Sequence, residues 1–305
     1  MTAEAAEAGR PEWTARRRLS AAFWRRSWLR AALLLLPPLA WFVLLYLAAL
    51  AVLLVSAFWS VDPFTTELVR VWNLDNLKTV YTEPTYRNIA VRTIGIAALV
   101  TVTDAILALP FAYFMVRIAS RRLRAALFVL VLLPLWASYL ARVYAWNLIL
   151  AREGVLNWTL RHAGLPTVGV AYSKWAMWIV FSYIWLPFMI LPVYAAIERI
   201  PDSFVEASRD LGARGWETTR RIVLPLALPG VVAGSIFTFA LTLGDYVTPI
   251  LVGGGPGSKF IGNVVYENVG VANNVPFAAA YATVPVLVMG IYLAVAKRLG
   301  AFEAL

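Results

Sequence analysis

The sequence has no cysteine, a single histidine and few charged side chains. The lack of cysteine excludes disulfides and thiolate metal sites, and the one imidazole, His162, leaves little basis for histidine-dependent catalysis. Charged residues make up 14% of the 305 residues, against about 25% in soluble globular domains, whereas 61% are hydrophobic. We therefore expect a membrane protein that is not an enzyme and binds no metal or cofactor.

A phosphate-binding loop is also lacking. The glycine-rich stretch at 253–260 resembles one, but Ser258 stands where the motif needs glycine and Phe260 where it needs serine or threonine. We therefore expect no ATP hydrolysis by this chain, and we interpret the stretch as a flexible turn on the outer side.

Long apolar runs are abundant instead. A bilayer core of about 30 Å requires about 20 apolar residues in a helix. The first run is longer than the apolar core of a signal peptide, usually about 7–15 residues, so we expect it to remain as an anchor. The sequence predicts an all-α integral membrane protein with six transmembrane helices, at Ala31–Phe58, Thr93–Val116, Ala125–Ala145, Trp175–Ala196, Pro229–Val252 and Pro276–Ala296.

The basic residues that give the net charge of +10 are distributed as in a membrane protein. Two-thirds of the 27 Lys and Arg residues lie in the N-terminal tail, the 117–124 loop, the 198–221 loop and the C-terminal end, which predicts that both termini are cytoplasmic. Residues 1–30 are interpreted as a basic cytoplasmic tail that contacts anionic membrane lipids, not nucleic acid. Residues 31–305 are expected to form the membrane domain, with core spans 2–6 at about 88–298.

The loop at about 198–225 is dense in charges of both signs and reads EASRDLGARGWETTRRIVLP from Glu206 to Pro225. Ser203 and Glu206 have the spacing of a capping box, which predicts a helix that begins at Ser203 and ends near Gly212. A second short helix is expected at 216–222, followed by a change of chain direction at Pro225 and Pro229. The product would be a cytoplasmic helical knob, with side chains for docking exposed at Phe204, Val205 and Trp216.

This loop resembles the EAA loop of permease subunits of binding-protein-dependent ABC importers. The matching residues are Glu206, Ala207, Ser208, Gly212, Ile222, Leu224 and Pro225, with Ser208 in place of the second alanine. The resemblance implies a type I ABC importer permease (MetI-like) fold in a bacterial inner membrane. It also implies three partners: an ATPase dimer that docks on the loop, a second permease subunit and an external solute-binding protein.

Four further stretches resemble the PotB-type permeases of spermidine/putrescine importers: Leu109–Tyr113, Leu133–Trp136, Arg142–Tyr144 and Gly244–Gly254. The resemblance implies a polyamine cargo and a distinct, PotC-like second permease. The sequence leaves open another small solute, such as an amino-acid derivative, a phosphonate or a metal chelate. An ion-coupled secondary transporter is a further alternative, opposed by the EAA loop and by the lack of a detectable inverted repeat.

Acidic residues inside spans are costly and are therefore candidates for function. Asp104 and Asp245 lie in predicted spans, and Tyr246 follows Asp245 with an aromatic face suited to a cationic cargo. We assign all three to the substrate path. For Asp245 the alternatives are an ion pair with Arg142 or a helix cap, and for Asp104 the alternative is a purely structural role.

Overall fold

The computed structural model describes residues 27–62 and 64–298 and divides the chain into two units at Val55 and Ser56. The first unit is helical: α1 (Ser27–Trp41), a π-helical segment (Phe42–Leu47) and α2 (Ala48–Ser56). Together they form a candidate span, Ala31–Ser56. Its side chains are mostly exposed, and Leu34, for example, is 77% exposed.

The second unit begins with a short outer segment. Strand β1 (Ser60–Val61) pairs antiparallel with β2 (Leu68–Val69), and the short helix α3 (Asp75–Thr82) follows. In the turn between the strands, the backbone N–H groups of Thr65 and Phe64 donate to Asp62 and hold the pKa of that carboxyl below its ordinary value.

The remaining elements are helices. They are α4 (Pro84–Tyr113) with a π-helical end (Phe114–Ile118), α5 (Arg121–Trp136), α6 (Tyr139–Leu150), α7 (Val155–His162), α8 (Lys174–Glu198), α9 (Asp202–Asp210), α10 (Gly215–Thr218), a π-helical segment (Thr219–Val223), α11 (Leu224–Gly244), α12 (Val247–Val252), a 3₁₀ turn (Pro256–Ser258), α13 (Ile261–Gly270) and α14 (Val275–Arg298). Within residues 27–62 and 64–298, five helices are long and apolar enough to cross a membrane, or six when the bent pair α5 and α6–α7 counts as one span.

Helices α4, α8 and α11 form the core of the second unit. Small residues allow α8 and α11 to approach closely, as is common between membrane helices. A Cβ atom added to Gly230 would lie 2.5 Å from the Cβ of Ala196, and one added to Gly234 would lie 2.7 Å from the sulfur of Met189. The backbones at these two glycines therefore leave no room for a side chain.

The predicted third span, Ala125–Ala145, is not one straight helix. It breaks after Trp136, where Ala137 and Ser138 adopt extended backbone conformations, and the two helical parts meet at 97°. Ala137 N–H bonds to the carbonyl of Pro134, three residues back, so the helix tightens and stops at that point. Hydropathy is equally high on both sides of the break and therefore gives no sign of it.

The predicted fifth span, Pro229–Val252, is also corrected at both ends. The helix runs continuously over Gly215–Gly244 and ends before Asp245, and Val247–Val252 is a separate helix. Pro225 and Pro229 lie within the continuous helix, which ends at neither of them. The turn before Pro225 is π-helical (Thr219–Val223), and such local adjustment is how a membrane helix tolerates proline.

Candidate coupling knob and translocation path

The knob comprises α9 and α10 with the turn between them. Helix α9 begins at Asp202 after Pro201, and Ser203 lies inside it, so the predicted N-cap at Ser203 and its capping box with Glu206 are wrong. Pro201, which follows the buried Ile200, occupies the N-cap position with an extended ψ of 140°, so the helix starts one residue before Ser203. At the other end Gly212 has φ +81°, and its N–H bonds to the carbonyl of Arg209 at 2.8 Å, so the predicted helix end is confirmed.

A buried hydrogen bond joins the two helices of the knob. The Ser208 and Thr218 hydroxyl oxygens are 2.9 Å apart, and both residues are buried. Glu217 accepts a hydrogen bond from the backbone N–H of Arg214 at 3.0 Å, which fixes the start of α10. The serine that departs from the motif therefore makes a contact that alanine could not make.

The knob has a concave surface that encloses a pocket with a volume of about 530 Å³. Large apolar side chains are exposed at its edge, including Phe204 (49%) and Leu211 (88%), and Trp216 is exposed nearby (72%). Val205 is buried, so its predicted exposure is wrong: it lies on the inner face of α9 with Ser208. Motif residues that line the surface are Ala207, Ser208, Gly212 and Ile222.

The other motif residues lie beside this surface. Glu206 is exposed, and its carboxylate has no hydrogen bond or ion pair within the part of the chain that the structure describes. Leu224 and Pro225 are exposed on the first turn of α11. Exposed apolar groups beside a free carboxylate suit a protein docking site.

Arg117 ties the knob to the spans, a role that the sequence did not reveal. Its guanidinium forms an ion pair with Asp202 and donates to the backbone carbonyl of Ile200 at 2.6 Å, and its side chain is only 11% exposed. It thereby connects the end of the second span with the junction of α8 and α9. In the sequence Arg117 counts only as one of several cations at a span end.

At the far end of α11, Asp245 is buried and hydrogen-bonded within the chain. One carboxylate oxygen accepts from the backbone N–H groups of Val247 (2.8 Å) and Thr248 (3.3 Å), and the other accepts from the hydroxyls of Thr248 (3.0 Å) and Tyr139. Asp245 therefore caps α12, which was one of the two structural alternatives. The structure contains no ion pair between Asp245 and Arg142 within its described residues.

Tyr246 is more accessible than its neighbour. It is 38% exposed, and its ring stacks on Tyr266 with centroids 4.6 Å apart. Asn263 donates to the carbonyl of Tyr246 at 2.7 Å, so helix α13 holds this segment in place.

Arg142 lies next to this network, just after the break in the third span. Its guanidinium carbon is 5.9 Å from the centre of the Tyr139 ring. Two of its nitrogens, Nε and Nη1, are buried and have no acceptor among the described residues. A buried cation with unused donors therefore lies beside the Asp245 network.

Asp104 lies elsewhere, in the core formed by α4, α8 and α11. It is fully buried, and neither carboxylate oxygen has a hydrogen-bond partner among the described residues. The structure therefore does not bring Asp104 together with Asp245 and Tyr246 at a common surface, and its assignment to the substrate path stays a prediction.

Comparison with known proteins agrees with this architecture. Residues 97–301 match the family "Binding-protein-dependent transport system inner membrane component". The chain is 46% identical over 301 residues to the inner membrane ABC transporter permease protein YdcU of Escherichia coli K12, covering 94% of this chain and 95% of the relative. It is 32% identical over 230 residues to the spermidine/putrescine permease PotB of the same organism, covering 75% of this chain and 82% of the relative.

The fold is also that of a solved importer. A crystal structure of a bacterial alginate ABC transporter in complex with an alginate-bound periplasmic protein contains a chain with a TM-score of 0.72. The identity is 20%, and the match covers 94% of this chain and 98% of that one. The predicted MetI-like fold, the multi-pass location in the inner membrane and the non-enzymatic role are confirmed, and the alternative of an ion-coupled secondary transporter is set aside. The chain therefore belongs to the binding-protein-dependent transport system inner membrane components, the permease subunits of ABC importers.

Proposed function

We propose that this permease forms half of a translocation path for polyamines such as putrescine and spermidine. A distinct second permease subunit would form the other half, an external solute-binding protein would deliver the cargo, and a cytoplasmic ATPase dimer would dock on the 198–225 loop. The relationship to PotB and the four stretches shared with PotB-type permeases support the cargo.

The observation that carries the coupling proposal is the continuous helix between the knob and Asp245. Gly215–Gly244 is 30 residues long, about 45 Å at 1.5 Å per residue. One end carries the Ser208–Thr218 contact, and the other ends at Asp245, which is bonded to Tyr139 at the break in the third span. A displacement of the knob by the ATPase would therefore move the Asp245 network.

Within the knob, we assign different roles to the exposed apolar side chains and to the charge of Glu206. Phe204 and Leu211 would enter a groove of the ATPase, because desolvated apolar anchors supply most of the affinity of an interface. Glu206 would meet a basic residue of the ATPase, because its carboxylate is exposed and unpaired. A charge pair of this kind fixes the register of docking more than it adds affinity.

For a polyamine, aromatic faces are the available contacts at the far end of α11. The hydrogen bonds of Asp245 are already used, whereas the ring of the next residue, Tyr246, is exposed. Tyr144 (51% exposed) and Trp136 (89% exposed) lie on either side of Tyr139 in the sequence. An ammonium group over such rings gains about 0.5–2 kcal/mol, depending on how far it is desolvated.

Arg142 favours a second candidate cargo, an amine that also carries a carboxylate. Its buried Nε and Nη1 atoms would be satisfied by a carboxylate of the cargo, and a guanidinium is shaped for that group. An amino-acid derivative would fit both this cation and the nearby Asp245.

Uptake competition distinguishes the two cargos. Cells with and without this gene, with the partner genes unchanged, would be given labelled putrescine or spermidine, alone or with excess unlabelled amino acids. For a polyamine importer we expect deletion to abolish uptake and amino acids not to compete. Unchanged polyamine uptake after deletion would contradict the polyamine proposal, and competition by amino acids would favour the second candidate.

A further inference from the structure

The feature that the transport proposal leaves unexplained is the carboxyl group of Asp104. Its side chain is completely buried within α4, and both oxygens lack a hydrogen-bond donor among the described residues. The polar group beside it is the hydroxyl of Ser182 on α8, which is also buried and has no hydrogen bond among the described residues.

Other unpaired polar atoms lie at the same level of the bundle. Thr103, the residue before Asp104, accepts a hydrogen bond from the indole of Trp178 at 3.0 Å, and Ser182 lies one helical turn after Trp178, so α4 and α8 pack together in this region. Gly234 of α11 packs on Met189 of α8. Because the two helices are antiparallel, moving one turn along α11 to Thr238 corresponds to moving one turn back along α8 to Trp185.

The Thr238 hydroxyl and the Trp185 indole N–H are both buried and have no partner among the described residues. These groups are polar but uncharged, so none of them balances a negative charge on Asp104.

Charged groups on the surrounding helices are all remote from this level. On α4 the nearest are Arg92 and Arg117, about 18 and 20 Å away along the helix axis from Asp104. On α8 they are Lys174 and Glu198, about 12 and 24 Å from Ser182, and on α11 they are Arg221 and Asp245, about 26 and 10 Å from Thr238.

Titratable groups on the neighbouring elements contact residues other than Asp104. On α6, Arg142 lies over Tyr139, which stacks on Trp185 and bonds to Asp245. Tyr183, next to Ser182, is 37% exposed and packs against Trp146. An ionised Asp104 would therefore be an isolated anion in an apolar helix core, which is the costliest state for a buried carboxyl.

We propose that Asp104 and Ser182 form an intramembrane proton-binding site, in which the carboxyl is held as the neutral acid and donates a hydrogen bond to the Ser182 hydroxyl oxygen. The proton removes the charge, and the hydrogen bond links α4 to α8 in the middle of the core. Loss of the proton would leave an unpaired anion, so α4, α8 and α11 must separate before Asp104 can ionise. The site thus favours the closely packed arrangement of the three helices.

Infrared difference spectroscopy on the full chain in lipid nanodiscs tests the site at neutral pH. We expect the wild-type minus Asp104→Asn spectrum to contain the C=O stretch of a protonated carboxyl, which shifts on exchange into D₂O. We expect no carboxylate stretches in that difference. Carboxylate stretches in place of the acid band would overturn the proposal.

Two further measurements keep the test informative even if Asp104→Asn does not fold. Ser182→Ala removes the acceptor while retaining the carboxyl, so the acid band should move to a higher frequency, and an unmoved band would overturn the assignment of Ser182. Replacing choline chloride by sodium chloride should leave the thermal unfolding temperature unchanged. A sodium-dependent rise that Asp104→Asn abolishes would show that the site binds a metal cation and not a proton.

Discussion

At the scale of single residues, the polar side chains near the Asp245 end of α11 differ in whether their hydrogen-bonding atoms have partners. Asp245 is used: four donors of its own chain bond to its two oxygens, so its main task in this conformation is to hold the break of the third span against α12. Arg142 is unused, since two of its buried nitrogens lack an acceptor among the described residues. Sequence alone could rank neither, because both are simply charges near a span end.

Asp245→Asn should therefore weaken transport, because it disturbs the hydrogen bonds that hold the break in the third span. The amide keeps one acceptor oxygen but offers an NH₂ group where the Tyr139 and Thr248 hydroxyls donate, at a cost of about 1–3 kcal/mol for disrupted buried hydrogen bonds. We expect reduced uptake and a lower thermal unfolding temperature. Asp210→Asn, on the exposed end of α9, is the matched control and should retain the unfolding temperature. Equal unfolding temperatures for both variants would contradict the role of Asp245.

Gly212 allows a test of backbone conformation in the knob. Its φ of +81° is strained for an L residue, by about 1–2 kcal/mol, although the added Cβ would meet open space. We expect Gly212→Ala to reduce the amount of ATPase that copurifies, Gly212→Asn to reduce it less because asparagine tolerates this conformation, and Gly215→Ala, which also faces open space, to leave it unchanged. Equal copurification with Gly212→Ala and Gly215→Ala would show that the turn does not matter.

At the scale of elements, most spans could be predicted and their interruptions could not. Hydropathy is sufficient to find α4, α8 and α14, because each needs only a long apolar segment. The bend after Trp136 and the helix end at Gly244 depend on contacts with other helices, such as Tyr139 with Asp245. The knob is an intermediate case: Gly212 signals its turn, whereas Pro201, not Ser203, precedes its first helical residue.

Arg117 joins the second span to the knob, and we call its contacts with Asp202 and Ile200 the clamp. The clamp predicts a variant in which ATP hydrolysis is uncoupled from transport. Arg117→Met removes the ion pair with Asp202 and the hydrogen bond to Ile200, while the exposed docking surface stays intact. We expect the ATPase to copurify normally and uptake per hydrolysed ATP to fall. Arg122→Met, an exposed neighbour in the same loop, should leave both unchanged. Normal uptake per ATP in Arg117→Met would mean that the clamp carries no coupling.

The contact between α8 and α11 predicts a site of overpacking. Gly230→Ala would place a methyl group 2.5 Å from the Cβ of Ala196 and 2.6 Å from the carbonyl oxygen of Pro192, so the helices must move apart. Overpacking of this kind costs about 1–3 kcal/mol. Thermal unfolding in detergent should show a loss for Gly230→Ala and none for Gly290→Ala, where α14 has open space. Similar unfolding temperatures would indicate that the core yields more easily than these distances imply.

At the scale of the whole molecule, the chain is a permease subunit in which the knob and the proposed substrate path lie at opposite ends of one helix. The family and the fold establish the class of transporter. The cargo depends on residues of partners as well as on this chain, which is why its sequence could indicate polyamines only by resemblance. The proposed ATPase contact is different, because the candidate docking residues all lie in residues 204–225 of this chain.

The most direct test is therefore ATP-driven uptake by the complete importer in proteoliposomes. This chain, its partner permease, the ATPase and the binding protein would be reconstituted with ATP on the ATPase side, with wild-type Glu206 or with Glu206→Arg, and labelled putrescine uptake would be measured together with the amount of bound ATPase. We expect the wild type to accumulate putrescine and Glu206→Arg to lose both ATPase and uptake. Full uptake by Glu206→Arg would contradict coupling through the knob, and ATPase binding without putrescine uptake by the wild type would contradict only the cargo.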